Sequence, residues 1–224
     1  MGQAIGQILP LAVGVALSPV PIIAVILMLV TADAKVNGPV FILGWLVGLG
    51  VIGTIVLLAA GSGGASSGGQ PATWVSWLKL ILGVLALLIA LRQWRGRPQG
   101  DAAPPAPQWM GAIEKFTPVQ ALGVGALLSG LNPKNTLLAI SAAAAIAATG
   151  ISGGQQAVAY VIFMILGTVG VGAPVVIYFA MGHRAPALLD KLRQWMAQNN
   201  AVIMAVLMLV IGAKLVGDGI AGLF

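Results

Sequence analysis

"LSGLNPKNTLLAISAAAA" (residues 128–145) is apolar almost throughout, yet its middle holds Asn132, Pro133, Lys134 and Asn135. Proline removes an amide donor and clashes with the turn before it, so a helix entering this stretch is interrupted at Pro133. A lysine at the centre of a membrane span costs about 2.5–3.5 kcal/mol to insert, which makes the break a candidate functional site. Two readings follow for the cation. It meets a substrate anion, or it closes a structural break by bonding backbone carbonyls.

The rest of the chain sets the solvent. Of 224 residues, 59% are hydrophobic and 7% charged, and the mean hydropathy is +1.02. Such a balance belongs to an integral membrane protein. Apolar stretches long enough to cross a bilayer are expected at about 6–30, 38–60, 74–91, 118–148, 156–181 and 199–217. The fold class is therefore all-α and polytopic, with six transmembrane helices in a single domain, 1–224.

Lys and Arg alternate by loop. Lys35 follows the first span; Arg92, Arg95, Arg97 and Lys115 follow the third; Arg184, Lys191 and Arg193 follow the fifth. The connections 61–73 and 149–156 carry no charge. By the positive-inside rule the charged loops are cytoplasmic and both termini lie outside. Trp74 and Trp77 then mark the outer interface, Trp94, Trp109 and Trp195 the inner one, and Trp45 falls in the packed interior. The first span lacks a basic leader and is expected to stay uncleaved. The formal charge of +6 reflects this topology and gives no reason to expect a nucleic-acid partner.

Zero cysteines and a single histidine, His183, exclude thiolate and His/Cys metal sites. No metal or other cofactor is expected. A G-x-x-x-x-G-K-[ST] loop is absent, so energy for transport comes from a gradient or a partner. No nucleophile–base pair is visible, and the chain is not expected to be an enzyme.

The chain repeats once. "LSPVPIIAVIL" (17–27) aligns with "LNPKNTLLAIS" (131–141), and "FILGWLVGLGVIG" (41–53) with "FMILGTVGVGAP" (163–174). A weaker third match joins "GVLALLIALRQW" to "AVLMLVIGAKLVGDG". Three spans repeated once insert in opposite directions, which predicts two inverted three-helix repeats, 1–97 and 118–224, around a Pro/Ala-rich cytoplasmic linker, 98–117. Helices 1 and 4 are broken, with Pro19, Pro21 and Pro133 each interrupting a helix. The half-helices beyond the breaks point free N–H groups into the centre, where an anion is favoured. The candidate substrate-binding residues are Ser18, Pro19, Pro21, Asn132, Pro133, Lys134, Asn135 and Thr136. Arg92, Arg95 and Arg97 are topology determinants and candidate headgroup contacts at the inner surface.

Gly44, Gly48, Gly167 and Gly170 are read as helix-packing positions, Lys214 and Asp218 as a local ion pair, and Lys79 as snorkelling to the interface. Ser141 is read as bonding back within its own helix.

"SPVP" in the first span, "NPKN" in the fourth and the 3+3 order resemble the lysine-exporter (LysE) superfamily. Within it the chain is most similar to the GAP or Sap group of glycopeptidolipid- and sulfolipid-addressing proteins, over nearly its whole length. The resemblance implies movement of a lipid-linked molecule toward the cell surface, and it carries over to Ser18, Pro19, Pro21, Asn132, Pro133 and Lys134. Amino-acid exporters of the superfamily have Ser-Pro-Gly-Pro where this chain has Val20. The expected function is a transporter or flippase in the cytoplasmic membrane for an anionic lipid-linked substrate. Alternatives are an exporter of small anionic solutes or amino acids, and a non-transporting scaffold for a lipid-synthesis or export partner. Membrane lipids are expected partners, and the glycine-rich spans leave a homodimer open.

Overall fold

The computed structural model describes residues 1–31, 33–62, 66–67, 70–97 and 116–223. Most of the predicted linker, with Trp109 and Lys115, lies outside the described residues. The helices are α1 (Gly2–Ala16), α2 (Pro19–Leu29), α3 (Ala34–Ser62), α4 (Thr73–Arg95), α5 (Pro118–Gly130), α6 (Pro133–Ala147), α7 (Gly153–Met181) and α8 (Ala185–Ala221). A single 3-10 turn, Gly182–Arg184, joins the last two. The only strands among the described residues are two-residue pieces, Ser66–Ser67 paired with Gln70–Pro71.

The chain is an all-helical, multi-pass membrane protein. Ala34–Gly61, Thr73–Arg95 and Gly153–Ala221 are long and apolar enough to cross a bilayer, and a fourth crossing is made if the bent pair α1–α2 counts as one span. At 1.5 Å per residue α5 and α6 are about 20 and 22 Å long, each short of a hydrocarbon core of about 30 Å. α7 and α8, at about 43 and 55 Å, each exceed it.

Both breaks form where the prolines stand. Pro19 and Pro133 occupy the first turns of α2 and α6, where a missing N–H is harmless. The axis turns by 51° between α1 and α2. Pro21 departs from expectation: it lies inside α2 and does not interrupt it, because the first turn has no internal acceptors to lose. Pro10, Pro39 and Pro174 are likewise carried within helices. α8 begins at Ala185, well before the expected 199. Its first turns are polar and charged, so hydropathy hides them, but Arg193 and Asp190 pair along the helix at 2.6 Å.

α2 is apolar on every side and buried on every side, from Pro21 to Leu29. α6 is buried from Leu137 to Ala147 except at Ile140. These two second half-helices form the centre, as all-round apolar helices must.

Close glycine contacts fix the directions of the surrounding helices. Gly44 lies against Leu122 and Gly48 against Ala126 and Ser129, so α5 runs beside α3 in the same direction. α6 continues that way, since Ala144 and Ala147 cluster with Ala60 and Val75 at the far end of α3. Gly167 lies against Val15 and Gly170 against the Ala16 carbonyl, so α7 runs beside α1 in the same direction. α4 and α8 run oppositely, with Ser76 beside Gly222 and Gly83 beside Val216 and Gly212. The arrangement is reciprocal: α3 packs on α5 as α7 packs on α1. All four glycines named in the sequence as packing positions do pack. Trp45 is fully buried and stacks on Phe41 with centroids 6.4 Å apart, and Tyr160 ties α7 to α3 by donating to the Leu49 carbonyl at 2.9 Å.

Candidate functional site

Each break leaves carbonyls without their usual helical donors, and polar side chains take over several of them. Pro19 cannot donate to the Val15 carbonyl, and the Ser18 hydroxyl donates there instead at 2.7 Å. Pro21 cannot donate to the Leu17 carbonyl, and the Lys134 ammonium lies 3.3 Å from that oxygen. The same ammonium donates to the Gly14 carbonyl at 2.6 Å. In the other break the Asn132 side chain accepts from the Lys134 amide at 3.1 Å. The Gly130 carbonyl then accepts from the Thr136 hydroxyl at 2.7 Å, and the Leu128 carbonyl accepts from Asn135 Nδ2 at 2.9 Å.

The breaks also hold each other. Ser18 Oγ is 2.9 Å from Asn135 Oδ1, and because a hydroxyl has one proton, it serves either this oxygen or the Val15 carbonyl at a given moment. Lys134 spans the same gap from the other side. It is 3% exposed, its acceptors are neutral carbonyls at the C-terminal end of α1, and the negative end of that helix dipole favours a cation there. Of the two geometries open to the lysine, backbone bonding is the one seen here. The charge itself is not cancelled, since carbonyls solvate it without neutralising it.

Ser18, Lys134 and Asn135 thus meet in one buried cluster, flanked by Pro19 and Pro21. Asn132 and Thr136 are half-buried and Pro133 is exposed, so the turn of the second break faces outward from the bundle. Ser141 donates back to the Leu137 carbonyl at 2.8 Å, as expected. Arg92, Arg95 and Arg97 are not part of this cluster. They end and follow α4, where Arg97 lies 4.0 Å over the Trp94 ring and donates to the Trp94 carbonyl at 2.7 Å.

The Ser18–Asn135 contact makes a measurable pair. Ser18→Ala and Asn135→Ala together are expected to destabilise the protein by about 1 kcal/mol less than the sum of the single changes. Thermal melts of the four proteins in detergent check this; strict additivity would mean the contact contributes nothing.

Two features escaped the sequence. An apolar groove of about 510 Å³ runs between α4 and α8, lined by Leu87, Ala90, Leu91, Trp94, Ala205, Val206 and Leu209. Small residues, Ala90 on α4 and Ala205 on α8, leave room in its lining, and no sequence pattern pairs them. Lys79, expected to snorkel, is 5% exposed and belongs to the buried face of α4.

No curated protein and no solved structure matches the chain. The family model for Sap, sulfolipid-1-addressing protein, matches residues 8–221. A match across nearly the whole length takes in both breaks and every helix that surrounds them, and on it the chain belongs to the Sap, sulfolipid-1-addressing protein, family.

Proposed function

We propose that this protein moves an anionic lipid-linked molecule across the cytoplasmic membrane, with Lys134 receiving the headgroup and the tails remaining in lipid. The family's description names a sulfolipid, and a sulfate ester is permanently anionic. The observation that carries the reading is a buried cation where two helix breaks meet, held only by neutral carbonyls. Such an ion can exchange carbonyl oxygens for sulfate or phosphate oxygens and gain a counter-charge in doing so.

The reciprocal packing of α3 on α5 and α7 on α1 supports an inverted pair of three-span halves, with α1–α2 and α5–α6 each crossing as one broken span. The charged connections then face the cytoplasm and the termini face outward. The apolar groove beside Trp94, close to Arg92 and Arg95, suits the acyl chain of a lipid waiting in the inner leaflet. The action is carriage without covalent chemistry, driven by a gradient or a partner.

Proteoliposomes test the reading directly. A sulfated glycolipid is expected to change leaflet faster with the protein than without it, while its unsulfated parent stays at the protein-free rate. Equal rates for the two lipids would sink the role given to the cation. The carbonyl bonds of Lys134 also favour a second reading, in which the lysine is a strut and the protein a scaffold for an export complex. In that case neither lipid moves.

A further inference from the structure

The seam between α4 and α8 carries a second cationic feature, well removed in the chain from both breaks. The face of α4 turned into the bundle reads Val75, Ser76, Lys79, Leu82, Gly83, Ala86. A lysine in that stripe replaces an apolar packing residue, and it is 5% exposed. Among the described residues its ammonium has no hydrogen-bond or ion-pair partner. Asp218 and Lys214 of α8 are the charged groups near it, on the stretch where Gly219 presses against Leu80 and Ser76 of α4. Asp218 Oδ2 accepts from Lys214, and neither carboxylate oxygen bonds Lys79. Two cations therefore lie near one carboxylate, and the lysine without an acceptor is the more buried residue.

The stem of Lys79 is buried while its ammonium, open at the seam and without a protein acceptor, is free to bond an anionic oxygen. The site is reachable: the sealed and unpartnered polar atoms are Gln7 Oε1, Asn37 Oδ1, Trp45 Nε1 and Asn200 Oδ1, and Lys79 Nζ is not among them. It lies near the end of the seam that holds the start of α4 and the end of α8, opposite the end with Arg92 and Arg95. Gly83 and Gly212, pressed against the facing helix, close the seam between that end and the apolar groove.

We propose that Lys79 and Lys214 hold one anionic group, a sulfate or phosphate ester, at the α4–α8 seam, as a station distinct from Lys134. The lipid-addressing reading supplies only the expected source of the anion. The ammonium of Lys79 donates to the anion's oxygens, Lys214 approaches from the half-exposed side, and Asp218 keeps the pair from carrying two uncompensated charges.

The test uses the full-length protein in detergent micelles. The rate at which an amine-reactive ester labels Lys79 is followed by peptide mass spectrometry, with sulfated galactosylceramide, with galactosylceramide, or with inorganic sulfate at matched ionic strength. The sulfated lipid is expected to slow labelling of Lys79 about tenfold, the value of one charge-assisted contact, while galactosylceramide leaves the rate unchanged. Equal protection by inorganic sulfate would keep the anion site and assign it to a free anion. No protection by either sulfate source, or equal protection by the uncharged lipid, overturns the proposal. Lys79→Gln should lower retention of the sulfated lipid by a similar factor, and Lys79→Arg should restore it. Protection of Lys79 is read without any translocation step, so its failure and a failure of Lys134-dependent transport are separate results.

Discussion

Gly170→Val is expected to leave little folded protein. A Cβ at Gly170 would overlap the carbonyl oxygen of Ala16, which is backbone and has no rotamer to escape by. The helices must part instead. Ala16 is the last residue of α1, one position before the Leu17 carbonyl that Lys134 holds, so the displacement also loosens the central cluster. Overpacking against backbone costs about 3 kcal/mol or more, roughly 6–12 °C in Tm for a chain of this size. Gly123 provides the control, because a Cβ there would meet nothing within 4 Å. Gly123→Ala is expected to melt at or slightly above the parent temperature, since alanine is the better helix former. Melting curves in one detergent decide it, and equal Tm values for Gly170→Val and Gly123→Ala would contradict the packing described.

The second large effect concerns function. Lys134→Met keeps the length and apolar stem of the side chain and removes the ammonium, so the Gly14 and Leu17 carbonyls lose their donor. Translocation of a sulfated glycolipid, normalised to folded protein, is expected to fall about a hundredfold, the equivalent of roughly 3 kcal/mol of charge-assisted bonding. Stability falls too, by about 1–3 kcal/mol for each buried acceptor left unmet. Lys134→Arg restores a donor to the carbonyls but brings a bulkier, planar head into a site that is 3% exposed, and is expected to recover stability more than rate. Parental translocation by folded Lys134→Met would return the lysine to a purely structural role.

Hydropathy and proline placement made the helices and both breaks legible, because each depends on a few neighbouring residues. The partners of Lys134 were not legible: its carbonyl acceptors lie 120 and 117 positions away and belong to backbone, which carries no sequence signal. Pro21 misled because a proline inside the first turn of a helix and a proline that ends one look alike in sequence. The buried state of Lys79 was missed for the opposite reason. Near the end of an apolar span a lysine ordinarily reaches for water with its whole length, and the packing of α8 over that face of α4 covers the stem and leaves only the ammonium unsealed. The ion pair of Lys214 with Asp218, four residues apart on one helix, needed no tertiary knowledge and was found.

The double attachment of the Lys134 ammonium constrains what can displace it. A ligand that draws the cation away strips the Gly14 and Leu17 oxygens of their donor at the same moment, and a bare anion has no hydrogen to give them in return. A sugar bearing a sulfate does, and under the proposed function the ester would take the ammonium while neighbouring hydroxyls capped the carbonyls. Selectivity in this bundle would then rest on a matched exchange of donors as well as on charge, and an ionised fatty acid or inorganic sulfate, lacking hydroxyls, would be refused by the same two oxygens that hold the lysine at rest.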